Sequence, residues 1–305
     1  MDTIIAAVDG SVPSRAAVRW AAGEAVSWGA QLVLVHVVDD EWGTISDRMV
    51  SEVSTSAERL LETDLAYALS LEEDLAVSAL LLEGSPMWEL SRLSTADTLI
   101  AVGTHKSGFH YGRAFGSRSL QLANLASGSI AIIPESAVRF RRGVVAGVDE
   151  TPAGIAAIDC AAEEAVRRGA ELTLVRASTQ LPWSSTDSEE RHDWQEWTDD
   201  AARKTLATAV ERVRERCPKT IIRSRVVRRP AGAALNELAR TAELLIIGDS
   251  RRPGAQPGTL GSVAYDVLLN LTSPAIVVHA PEPARTGRAA ESDDIQKEGT
   301  HHAIR

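Results

Sequence analysis

Two stretches of the chain have the residue types that hold phosphate. They read GTHKSGFHYGRAFGS, from Gly103 to Ser117, and GDSRRPGAQPGTLGS, from Gly248 to Ser262. Each follows an apolar run and ends with Gly-Ser at the start of a helical pattern. Such a loop lets backbone N–H groups approach an anion closely, and the following helix adds free donors and a favourable dipole. His105, Lys106, Gly116, Ser117 and Arg118 carry that chemistry in the first stretch, where His110 reads as a solvated loop residue. Ser250, Arg251, Gly261, Ser262 and Val263 stand at the matching places in the second. Neither stretch is a G-x-x-x-x-G-K-[ST] loop, and no G-x-G-x-x-G follows the first strand.

The elements that must position these loops are legible because the chain repeats itself. Residues 5–35 align with 145–175 without a gap, so that Asp9 falls on Asp149 and Glu24 on Glu164. Between the second and third strands the second copy carries about five extra residues, so that Gly103 falls on Gly248. The copies span 1–138 and 141–281. In the first, strands are expected at Thr3–Val8, Leu32–Val38 and near 75–82, 98–102 and 130–133, with helices near 13–28, 46–70, 86–95 and 117–126. Pro13, Pro152 and Ser85-Pro86 mark helix starts. Five apolar strands alternating with four helices predict an α/β fold: a doubly wound, five-stranded parallel sheet in each of two tandem domains. Ligands of such sheets bind beyond the carboxyl ends of the strands. Those ends are Ala7-Val8-Asp9 and Gly147-Val148-Asp149 for the first strands, with Val37 and Ala177 at the ends of the second. Asp9 and Asp149 read equally as helix caps, and Ser117 and Ser262 as N-caps. His36 reads as a core histidine with a satisfied ring.

Taken together, the strand-terminal Asp, the His-Val-Val ending of the second strand and the Gly-to-Ser loop resemble the universal stress protein family. Its loop motif is Gly-x2-Gly-x9-Gly-Ser/Thr, and the resemblance covers both copies. It implies a Rossmann-like strand order of 3-2-1-4-5 and pairing of the copies through their last strands as a pseudo-dimer within one chain. It also implies ATP as ligand, with or without Mg²⁺: Asp9 and the backbone at Val37 on the adenosine, Gly103, Gly116 and Ser117 on the phosphates. Asp149, Ala177, Gly248, Gly261 and Ser262 are their counterparts. Both copies depart from the motif at its second glycine, which is Lys106 in one and Arg251 in the other. A side chain there either fills the phosphate space or neutralises phosphate charge. The first copy is the favoured site, because Glu150 adds like charge beside Asp149 and Pro253 and Pro257 stiffen the second loop.

Composition sets the remaining bounds. The 305 residues carry a formal charge of −10, which argues against nucleic acid or an anionic membrane as a general partner. Two cysteines, Cys160 and Cys217, have no ligand-like spacing. No apolar run is long enough to span a membrane, and the amino terminus enters a strand without a leader pattern, so a cytoplasmic protein is expected. Within the second copy, Trp194 and Trp197 read as one packed helix face, with Trp183 just before them. The arginines of IIRSRVVRR read as guards of an edge strand rather than as a phosphate patch. Residues 283–305 read as a disordered tail. Three functions fit: a regulatory protein that binds adenine nucleotide, a slow ATPase holding Mg²⁺ on Asp9 or Asp149, and an interaction module whose sites Lys106 and Arg251 block. Nothing marks a general base or nucleophile, so an enzyme ranks below a binder. Further pairing of chains into a homodimer is compatible with all three.

Overall fold

The computed structural model describes residues 2–39, 47–104, 117–135, 141–178, 188–250 and 259–279. The first copy runs β1 (Thr3–Ala7), α1 (Val12–Trp28), β2 (Gln31–Val38), α2 (Asp47–Leu71), β3 (Val77–Glu83), α3 (Pro86–Arg92), β4 (Thr98–Thr104), α4 (Ser117–Leu125) and β5 (Ser129–Pro134). The second runs β6 (Val144–Gly147), α5 (Pro152–Arg167), β7 (Leu172–Ala177), α6 (Ser188–Arg216), β8 (Ile222–Val227), α7 (Ala231–Ala239), β9 (Leu244–Gly248), α8 (Ser262–Leu269) and β10 (Ala275–Val278). The tail after 279 lies outside the described residues, as does Trp183.

Each copy has the expected order, third strand to second, first, fourth and fifth, with every neighbour parallel. The two expected sheets are halves of one. β5 and β10 pair antiparallel, Ala275 opposite Ile132 and Val277 opposite Ile130, giving ten continuous strands. The period of two sorts the core. Ile4 and Ala6 face a layer that includes α1, α2, α5 and α6, whereas Ile5 faces the layer of α3, α4, α7 and α8. In α1, Ala17, Ala21, Ala22 and Ala25 are fully buried, and their small side chains let the helix axis approach the sheet.

Helix starts depart from the sequence reading at one point. The cap of α1 is Ser11, whose Oγ accepts from Ser14 N at 3.2 Å; the cap of α5 is Thr151, accepting from Gly154 N at 3.0 Å. Asp9 and Asp149 therefore do not cap these helices. They lie one turn earlier, accepting from the N–H of Ser11 and Thr151 at 3.0 and 2.9 Å. Close approach at the ends of β4 and β9 explains two glycines. A Cβ at Gly103 would stand 2.1 Å from the Pro13 carbonyl oxygen, and one at Gly248 would stand 2.6 Å from the Ala153 carbonyl carbon. The first turns of α1 and α5 sit directly against these strand ends, so the glycines are required by packing before any ligand is considered.

At the edge, β8 carries the expected guard: Arg223 bridges Glu171 at 2.8 Å and Arg228 bridges Asp199. The tryptophan pair does not form one packed face, because Trp197 is 68% exposed while Trp194 is half-buried. A turn of three residues on α6 rotates the second ring out to solvent.

Across the junction the first helices of the two copies meet. Arg168 bridges the buried Glu24 of α1 and the fully buried Glu164 of α5, which are the repeat-equivalent residues. Arg167 lies over the Trp28 ring at 5.0 Å. Burial pushes the Glu24 carboxyl above its ordinary range, even with Arg168 beside it. A carboxyl raised in this way holds its proton to higher pH folded than unfolded, so its contribution to stability falls as pH rises through that window. Arg168→Met should leave Glu24 without its cation and cost about 3–5 kcal/mol near neutral pH. Urea unfolding should show that loss shrinking as pH is lowered toward the ordinary glutamate value, since Glu24 takes up its proton above it; a pH-independent loss would contradict the assignment. Gly103→Ala should cost about 1–3 kcal/mol by overpacking. Gly23→Ala, on the exposed side of α1 with nothing within 4 Å of the added carbon, should gain roughly 0.5–1 kcal/mol in the same assay.

Candidate nucleotide site

A cleft opens at the strand carboxyl ends of each copy. In the first, Ala7, Val8 and Asp9 at the end of β1, Val37 on β2, Gly103 on β4 and Arg118 on α4 all line it, as expected. Ser117 opens α4, and His105, Lys106 and Gly116 lie outside the described residues. In the second, Gly147, Val148 and Asp149 follow β6 around the cleft, with Ala177 on β7. Gly248 and Ser250 enter from β9, while Gly261, Ser262 and Val263 form its far wall at the start of α8. Arg251 lies outside the described residues.

The clefts differ in size, and in the order opposite to the expectation that favours the first copy. The second encloses about 730 Å³ and the first about 130 Å³. Their helical walls account for part of this. Pro86 and Met87 of α3 line the first cleft, where the second has Ala231 at the place of Pro86, and the place of Met87 is a glycine, Gly232. Only the larger volume is in the range of an ordinary ligand pocket, although methionine is the most adaptable of apolar side chains.

Their carboxylates differ too. Burial works against the charge of Asp9, but hydrogen bonds from Ser11 and Ser14, with Arg118 nearby, outweigh it and hold the carboxyl below its ordinary value. Asp9 is thus an ionised acceptor at the mouth of its cleft. Asp149 is far more engaged: it accepts from Thr151 N, from Thr151 Oγ1 at 2.5 Å and from Ser250 Oγ. At the end of the second strand, His36 Nδ1 donates to the Val8 carbonyl at 2.7 Å, and in the other copy Arg176 Nη1 donates to Val148 at 2.9 Å. A satisfied ring is what the sequence reading assigned to His36.

Sequence reasoning missed several lining residues. Arg229 faces the second cleft as well as standing beside the edge strand, where the guard reading had left it. Its signal was the Arg-Arg-Pro step before α7, which lies at the strand carboxyl end once β8 is placed. Asp249 was missed as well. Its buried carboxylate accepts from Gly261 N at 2.8 Å and lies 3.4 Å from His279 Nε2. His279 also donates to Ala123 of α4 at 3.0 Å, and Asn124 of α4 accepts from Leu260 N at 2.5 Å. The foot of the second loop is therefore fastened to the first copy. Among the described residues no group of three His, Cys, Asp or Glu side chains is placed to hold a metal ion, and no helix is long and apolar enough to cross a membrane.

The comparisons agree with this architecture. The universal stress protein family model matches residues 1–134 and 141–279. Universal stress protein Rv1996 of Mycobacterium tuberculosis is 28% identical over 309 residues, covering 92% of this chain and 95% of the relative. A universal stress protein of Mycolicibacterium smegmatis is 29% identical over 290 residues, covering 90% and 96%. The crystal structure of a universal stress protein from Archaeoglobus fulgidus shares the fold with a TM-score of 0.67 at 15% identity, over 92% of this chain and 97% of that one. With both copies matched in sequence and both built on the same strand order, the chain belongs to the universal stress protein family.

Proposed function

We propose that the chain is a regulatory binder of adenine nucleotide rather than an enzyme, with its sites at the strand carboxyl ends. One observation carries the reading. In each copy a strand-terminal aspartate, the end of the second strand and a Gly-to-helix segment converge on one cleft. Backbone donors at the start of α4 or α8 suit the phosphates, and the apolar walls suit a base. In the first copy Asp9 is available to accept from the nucleoside, and Met87 must swing aside to admit it. Magnesium, if used, arrives on the phosphates, because a lone aspartate at either cleft supplies too few ligands to hold it beforehand.

Regulation follows from the fastening of the second loop. Nucleotide bound against Gly261 and Ser262 acts on a backbone already tied through Asp249, His279 and Asn124 to the first copy. Binding there stabilises the joint between copies along with the site, by about 2.7 kcal/mol at a hundredfold excess over Kd.

Calorimetric titration of nucleotide-stripped protein with ATP, with and without Mg²⁺, tests the reading. Saturable binding is expected, weakened by roughly 1.5–3 kcal/mol in the first site by Asp9→Ala. No heat from protein that is folded and stripped would overturn it and favour an interaction module.

A further inference from the structure

The two clefts differ in charge where the repeat would make them alike. Strand register fixes the equivalences: β2 pairs β3 with Leu32 opposite Val77, and β7 pairs β8 with Leu172 opposite Ile222. Arg176 therefore stands where the first copy has His36. By the same register Arg228-Arg229 stands where it has Glu83-Gly84. Arg176 and Arg229 line the second cleft, where their counterparts in the first copy, His36 and Gly84, supply no guanidinium.

Both cations that line the second cleft among the described residues have donors to spare. Arg176 spends Nη1 on the Val148 carbonyl, which fixes the guanidinium beside the end of β6 and leaves its other N–H groups. Arg229 bridges Glu237, but the two side chains are 64% and 58% exposed, and such a surface bridge yields readily to a better anion. Meanwhile Asp149 already takes three hydrogen bonds, from Thr151 N and Oγ1 and from Ser250 Oγ, which leaves it little acceptor capacity for a sugar hydroxyl. This side of the cleft is richer in donors than in acceptors.

A phosphate pole lies opposite. Gly261 and Ser262 open α8 beyond β9, and β9 and β7 flank β6. The ends of β9 and β7 are thus two strand spacings apart, about 10 Å, with Arg229 one strand further out beyond β8. A sugar with phosphate on both sides bridges that distance, aided by the long arginine side chains.

We propose that the second cleft takes a nucleotide phosphorylated at both ends of its sugar, with the 5′ phosphate at the start of α8 and a 2′ or 3′ phosphate between Arg176 and Arg229. The inference rests on the nucleotide reading above and refines it for this copy. The first cleft, with His36 and Asp9 on its wall and Gly84 at the place of Arg229, offers no such second pole.

The test is calorimetry on the full stripped chain with AMP and with adenosine 2′,5′- and 3′,5′-bisphosphate. One of the bisphosphates should bind about tenfold or more tightly than AMP, a preference that Arg176→His and Arg229→Ala each cut to about threefold or less. Ala231→Met, which narrows the second cleft at the start of α7, should abolish the tight binding of the bisphosphate. Equal affinity for AMP and both bisphosphates, or a preference that survives these substitutions, would overturn the inference while leaving the nucleotide reading intact. No binding of ATP, AMP or either bisphosphate would overturn both. Circular dichroism melts of each variant separate loss of binding from loss of fold.

Discussion

The antiparallel pairing of β5 with β10 is the constraint on which the rest depends. Each half is wholly parallel, so all its strand carboxyl ends, and therefore its cleft, lie on one edge. Reversing direction at a single junction sends the two clefts to opposite edges of one sheet. It also brings α1 and α5 together, where Glu24 and Glu164 would meet as two buried like charges. Arg168 resolves that conflict from one side only, since the first copy has Trp28 at the matching place. The repeat is thus symmetric in backbone and asymmetric in chemistry, beginning at its own axis.

The same asymmetry continues outward to the clefts. Glycines at the ends of β4 and β9 let the first turns of α1 and α5 close against them, and this gives both copies the same concave frame. Within that frame the side chains diverge: Met87 against Gly232, His36 against Arg176, Gly84 against Arg229. A duplicated domain whose halves keep the frame and change its lining has the means to read two ligands, or two states of one ligand. The link from Asp249 through His279 to Ala123 gives the second site a mechanical route into the first copy.

Much of this was legible in the sequence, for reasons that differ by level. The strands and helices were readable because β-branched runs and alanine-rich helical spacing carry their own period, and the repeat allowed each copy to check the other. The strand-end residues followed from topology, since parallel sheets place ligands at one edge only. What stayed hidden depended on contacts between distant segments. Ser11 and Thr151, not the aspartates, cap the helices because the chain makes an extra turn after each strand. Gly103 and Gly248 looked like phosphate-loop glycines, yet packing against Pro13 and Ala153 already requires them. Arg229 looked like an edge guard because its place beside the cleft appears only when β8 and α7 are folded together. Trp197 misled through spacing alone: three residues on a helix set neighbours on one side without deciding how much of that side is covered.

The most direct test of the account is hydrogen–deuterium exchange of the stripped chain with and without ATP. Protection should rise at the first turn of α4 or α8 and at the ends of β1 or β6, with little change at the amino ends of the strands. Protection confined to the amino ends, or unchanged exchange at saturating nucleotide, would contradict the placement of the site.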